Sequence, residues 1–296
     1  MHHRHTHSSR HKHRLWVVFA LSASFMVVQV VVGWWANSLA LLADAAHLFV
    51  DAAGVGFSLL AVWFAEKPAT AEKTYGYYRV EILAALVNGV VLCVLAIVIL
   101  VEAWERLRVP HEVSAGPVLV VAVAALGVNL LAAWLLHAGA AESLNVRGAY
   151  LEVLGDALSS AAVIMAAAVI LVTGWTAADA LASAAIGLLI LPRTFALLKQ
   201  AVNVLLEGVP AHLDLAEIET ALRSAQGVKR VHDLHVWTLT SGREAMSAHV
   251  EVEPGTPPDR ILDELHVVLH SRFGIDHTTI QIETESPSLL QIMPRS

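Results

Sequence analysis

Between residues 15 and 205 the chain is a series of long apolar runs separated by short polar stretches; after that the pattern shortens. A spanning helix needs about 20 mainly apolar residues, and the runs predict such helices over 15–35, 38–64, 80–104, 115–136, 148–172 and 177–206. The links at Asn37-Ser38 and Gly174-Trp175 are short enough to be tight turns. From 211 onward the periods are those of a water-soluble fold. Helical spacing over 212–225 is followed by alternation over 228–238 and 243–253. Helical spacing returns over 257–273, opened by Pro257 and Pro258, and a last strand covers 278–283. The order αββαβ packs helices on one face of a small sheet. The organisation expected is a polar tail (1–14), an all-α membrane domain of six helices (15–208) and a small α/β domain (209–296).

Composition agrees with this division. The chain is 56% hydrophobic and 15% charged, with a mean hydropathy of +0.62, the balance of a membrane protein. Cys93 is the single cysteine, so neither an internal disulfide nor a thiolate zinc site is available. The net charge of −7 gives no electrostatic footprint for nucleic acid. The basic residues set an orientation. Arg4, Arg10, Lys12 and Arg14 precede the first run, Lys67, Lys73 and Arg79 lie between the second and third, Arg147 precedes the fifth, and Arg193 and Lys199 lie late in the sixth. The opposite flanks carry only Arg106 and Arg108. The positive-inside rule then puts both termini in the cytoplasm of a multi-pass protein of the inner (plasma) membrane. The leading MHHRHTHSSRHKHR is too polar to bury a core and is expected to be disordered, with weak metal capture as its functional reading.

Candidate chemistry lies inside the apolar runs. The second holds Asp44, His47 and Asp51. A carboxylate near the bilayer centre costs about 2.5–3.5 kcal/mol on insertion scales, so it must face protein, water or an ion. His47 and Asp51 are four apart and share a helix face, half of a divalent-metal site. The fifth run repeats the anomaly with Glu152 and Asp156, again four apart. Together the pairs supply one imidazole and three carboxylates, enough for a four-coordinate ion. Asp44, one turn before His47, is placed to orient it from behind or to line a water-filled entry. Asn88 and Asn129 read as hydrogen-bond partners between helices.

These stretches carry a resemblance. SLALLADAAHLFVDA, TYGYYRVEILAALVNG, NVRGAYLEVLGDALSS, LLEGVP, VHDLHVWTLTSG and HTTIQIE occur in one order along the chain. In that order they resemble the cation diffusion facilitators, metal–proton exchangers, and above all the bacterial branch that confers cobalt, zinc and cadmium resistance. The resemblance implies a homodimer with six helices per subunit and the transported ion between the second and fifth. It implies a ferredoxin- or metallochaperone-like cytoplasmic domain that dimerises and binds a regulatory metal. The family's transport ligands fall on His47, Asp51, Glu152 and Asp156, with Glu152 where many zinc members have His, a harder oxygen donor. The regulatory site falls on His232, His249 and Glu283, with His277 as a further contributor. A basic residue at Arg79 is expected to pair with an acidic one at Glu207 where subunits meet.

Strand parity puts His277 and Glu283 on one face of the last strand, and His232 and His235 on opposite faces. Metal ligands must be deprotonated, so cation and protons compete for one site. The expected function is efflux of a divalent cation, zinc first and also cadmium or cobalt, against protons by alternating access, with no organic cofactor and no enzymatic step. Two other classes remain: an intramembrane metallohydrolase, which wants a His-Glu-x-x-His helix that is absent here, and a membrane-anchored metal sensor.

Overall fold

The computed structural model describes residues 4–65, 67–140 and 144–284. Six long helices come first: α1 (Arg4–Trp35), α2 (Leu39–Ala65), α3 (Arg79–Arg108), α4 (Ala115–Ala140), α5 (Leu144–Thr173) and α6 (Ala177–Leu205). Among the described residues α1, α3, α4, α5 and α6 are long and apolar enough to cross a membrane. The remaining helix, α2, has 27 residues and carries the Asp44, His47 and Asp51 of the sequence argument. The polar tail is where expectation and structure differ. Residues 1–3 lie outside the described residues, but from Arg4 onward the tail continues α1 instead of standing as disordered chain. Once a helix exists each added residue gains a hydrogen bond, and residues 4–14 hold no glycine or proline to stop it.

The residues form two units, Met1–Leu59 with Val87–Leu197 and Leu60–Leu86 with Leu198–Ser296. The core of the first is built of small and branched residues, among them Ala40, Leu41, Ala43, Val50, Ala96, Val118, Val163, Ala167 and Ile186. Alanine lets spanning helices approach closely, which is how they pack when lipid is as apolar as leucine. Gly54 on α2 shows the limit: a Cβ there would lie 2.8 Å from Asn88 Nδ2 on α3.

The register of α2 is set at its N-terminus. Asn37 turns the chain with φ 55, and its carbonyl accepts from Arg106 Nη1 at 2.8 Å. The free N–H groups of the first turn find an acceptor on another helix. Asp179, 2% exposed at the start of α6, accepts from Leu39 N at 2.7 Å, Ala40 N at 3.3 Å and the Ser38 hydroxyl at 2.5 Å. A carboxylate against a helix N-terminus is favoured by both hydrogen bonding and the helix dipole. This cap holds α2 at one end, so His47 and Asp51 follow two and three turns along at set positions. On the other side, Asn129 of α4 donates to Ser160 of α5 at 3.3 Å, as expected for Asn129.

In the second unit, α7 (Leu215–Arg223), β1 (Val228–Thr240), β2 (Arg243–Val252), α8 (Pro258–Val268) and β3 (His277–Glu283) give the expected αββαβ order. α7 starts at 215 because Asp214 caps it, accepting from Ala216 N at 2.9 Å. α8 passes into a π-helical turn, Leu269–Phe273, which ends at Gly274 with φ 69. The sheet order is β1-β2-β3, with β1 and β2 antiparallel and β2 and β3 parallel. Met246, Ala248, Val250 and Val252 of β2 meet Ile218, Leu222, Ile261, Leu265 and Leu269 in one core, so the helices cover one face of the sheet. His249 and Glu251, alternating with those core residues, belong to the other face and are only partly buried.

One parity expectation is overturned. His232 and His235 lie on the same face, because the register shifts between them: His232 pairs with His249 and His235 with Ser247. Asp233, with φ 50, takes up the extra residue. A bulge adds a residue to one strand and cancels the strict two-residue alternation.

Candidate metal centres

α2 and α5 bring together His47, Asp51 and Asp156. One ligand atom from each lies within 4.8 Å of the others. His47 Nε2 is 3.4 Å from Asp51 Oδ2 and 3.9 Å from Asp156 Oδ1. Asp156 is 4% exposed. Asp51 Oδ2, Asp156 Oδ1 and His47 Nδ1 are buried without a hydrogen-bond partner among the described residues. Buried polar atoms are almost always paired, and two unpartnered carboxylate oxygens facing one imidazole are a donor set that suits a divalent cation.

Two of the expected contributors sit elsewhere. Glu152 is one turn from Asp156, yet its carboxylate accepts from Arg193 Nη2 of α6 at 3.1 Å, outside the group of three. Asp44 is tied to α1, not to His47: Gln29 Nε2 donates to its Oδ2 at 2.5 Å. Residues three apart are neighbours on a helix, but the short aspartate side chain reaches the adjacent helix first.

The second centre is on the open face of the sheet. Glu283, at the end of β3, is 6% exposed. Its Oε2 lies 3.1 Å from His232 Nε2 and its Oε1 2.7 Å from His249 Nδ1. Gln281 Nε2 donates to Oε1 at 2.9 Å. Burial alone would raise the Glu283 carboxyl, but the hydrogen bonds from His249 and His232, and their charge, hold it below the usual carboxylate range. The three residues come from three strands and meet because β2 pairs with both neighbours. His277 shares the face, as parity requires, but lies six residues back along β3, where its ring packs edge-on to Tyr75 at 5.5 Å. Six residues of strand are roughly 20 Å, so His277 is not brought to this centre.

A family model described as the cation efflux transmembrane domain matches residues 15–206, and one described as the cation efflux protein, cytoplasmic domain, matches residues 210–285. The chain belongs to the cation diffusion facilitators. Among facilitators it is 44% identical to the metal cation efflux system protein CzcD of Cupriavidus metallidurans, over 95% of this chain and 89% of the relative. It is 44% identical to the zinc transporter ZitB of Escherichia coli, over 96% of this chain and 93% of the relative. It is 38% identical to the cadmium, cobalt and zinc/H(+)-K(+) antiporter of Bacillus subtilis, over 95% and 92%. The metal-bound C-terminal domain of CzcD has been solved; it is 43% identical, and the match covers 24% of this chain and 99% of that one with a TM-score of 0.23.

Other facilitator positions named from the sequence also have partners. Arg79, opening α3, donates to Glu207 at 2.8 Å within one chain. Glu207 follows α6 with φ 58, a left-handed position that ends the helix. Residue-level reasoning missed Gln29, Asp179, Arg193 and Asp233. Gln29 and Asp179 had a signal, since each is a polar side chain in or at the edge of an apolar run. From the sequence Arg193 reads only as a cytoplasmic-side charge, and nothing in the sequence marks Asp233 as a bulge.

Proposed function

We propose that this facilitator exports divalent metal cations from the cytoplasm, zinc foremost, in exchange for protons. The observation that carries the reading is the buried cluster of His47, Asp51 and Asp156, contributed by two long helices and left with unpartnered ligand atoms. The cation is the cargo. One imidazole and two carboxylates suit zinc, cadmium or cobalt, with Glu152 as the further oxygen ligand. The same atoms bind either metal or protons. The site therefore loads metal facing the cytoplasm, releases it outward as protons bind, and returns protonated, which is exchange by alternating access. The names of the similar proteins, metal cation efflux, zinc transport and cadmium, cobalt and zinc antiport, support this direction and cargo.

In this reading the chain acts as a homodimer in the plasma membrane, with both termini cytoplasmic. His232, His249 and Glu283 form a regulatory site for the same class of ion, and the Arg79–Glu207 pair joins α3 to the exit of α6. The deciding measurement is zinc uptake into inverted vesicles driven by a proton gradient. Asp51→Ala and Asp156→Ala should each abolish it while the protein still folds and reaches the membrane. Near wild-type uptake in both would remove the assignment. The metallohydrolase and sensor readings predict no flux at all.

A further inference from the structure

One charged contact of the membrane domain has no role in the exchange described above. Glu152 projects from α5 one turn from Asp156, but its carboxylate is held by Arg193 at 3.1 Å. Arg193 belongs to α6, which supplies none of the three clustered ligands. It directly follows Pro192, where the helix lacks a backbone donor. An arginine is always protonated and offers a carboxylate a planar fork of donors.

We propose that Arg193 is a positioning residue that competes with the cargo for Glu152. It holds the carboxylate outside the cluster, and a cation completes its ligand set only by drawing Glu152 off the guanidinium. The inference rests on His47, Asp51 and Asp156 being the transport site. A divalent ion at the cluster outbids a single delocalised charge for an adjacent carboxylate. When the ion leaves, Glu152 returns to Arg193 and is not left as an unpaired carboxylate at a membrane helix. The device weakens binding and speeds release, which an exporter requires, since an ion held by four protein ligands with no competitor leaves slowly. It also discriminates. An ion satisfied by three protein ligands and water is indifferent to Arg193, whereas one that needs the fourth protein ligand must displace it.

The test uses full-length protein carrying His232→Ala and His249→Ala throughout, so that the cytoplasmic centre does not contribute, with zinc affinity measured by competition against a chromophoric chelator and zinc flux measured in proteoliposomes. Arg193→Gln should bind zinc about fivefold more tightly, the fold-change of one solvent-screened ion pair. Its KM and kcat should both fall. Arg193→Lys, which keeps the charge but not the fork, should fall between wild type and Arg193→Gln. In a Glu152→Gln background, Arg193→Gln should change affinity by less than about twofold, since the effect acts through Glu152. Unchanged affinity in Arg193→Gln overturns the proposal. So does the same tightening with Glu152 already replaced, which would make Arg193 a bystander charge. If Arg193→Gln alone does not fold, the comparison of Glu152→Gln with the double variant can still overturn the proposal, because affinities within about twofold of each other are required. Asp156→Asn separates the two levels. Wild-type zinc binding in that variant removes the transport site itself, whereas lost binding there with an inert Arg193 removes only the competition.

Discussion

Replacing Glu283 with glutamine should unfasten the open face of the cytoplasmic sheet. The carboxylate is 6% exposed and takes contacts from His249 at 2.7 Å, Gln281 at 2.9 Å and His232 at 3.1 Å. A hydrogen bond to a charged group nets about 1.5–3 kcal/mol. The histidine side chains are 20% and 27% exposed, which favours the lower end. Glutamine keeps one carbonyl acceptor but turns an N–H toward a ring nitrogen, so the expected loss is about 2 kcal/mol. For a domain of this size that is a fall in Tm of roughly 10 °C. The fragment 209–296 contains the whole tail core and can be melted by circular dichroism in the presence of a chelator.

The pH dependence has a definite sign. The Glu283 carboxyl lies below its ordinary 4.5 in the folded domain. Its stabilisation is therefore fully present above that value and is lost as pH falls through the folded one. The gap between wild type and variant should be open near neutrality and shrink as pH falls below 4.5 through the lowered titration of the folded carboxyl. Zinc should widen it, because a ligand at about 100 times its Kd adds about 2.7 kcal/mol to whichever protein binds it. A gap under about 0.5 kcal/mol at neutral pH, within the range of ordinary surface substitutions, would refute the reasoning. So would a gap that persists unchanged in acid.

Other outcomes follow from the same geometry. Asp179→Ala removes the acceptor of three donors at the start of α2 and should cost about 2–3 kcal/mol of thermal stability in detergent. An unchanged melt would mean that the α2 terminus is held by Ser38 and Arg106 alone. The swap Arg79→Glu with Glu207→Arg should recover part of the transport lost in either single variant. Because the side chains are 39% and 60% exposed, the coupling energy should not exceed about 1 kcal/mol, and a cycle with none would leave two unconnected interfacial charges. Glu152→His exchanges a hard oxygen for imidazole and should raise the preference for zinc over manganese in a flux competition. An unaltered ranking would remove Glu152 from the cargo's ligands.

Helix number, tail order and the three residues that cluster between α2 and α5 could be read from the chain. Each depends on a local physical cost: apolar length against bilayer thickness, and ionisable groups where the bilayer penalises them. His47, Asp51 and Asp156 could be named because they are four-residue pairs, or members of one, on apolar helices, and that anomaly needs no neighbour to be seen. Which atoms meet was decided only by packing. Glu152 has the same spacing credentials as His47, but it is drawn to Arg193 because α6 happens to pass there. Asp44 is tied to Gln29 because α1 brings an amide donor to its carboxylate. In the sheet, parity correctly set His277 and Glu283 on one face yet said nothing of the distance between them. Parity failed for His232 and His235 because Asp233 spends one residue on a bulge. Periodicity reports the direction of a side chain along its own element. The partner it finds depends on residues far away in sequence, and only the tertiary fold brings those together.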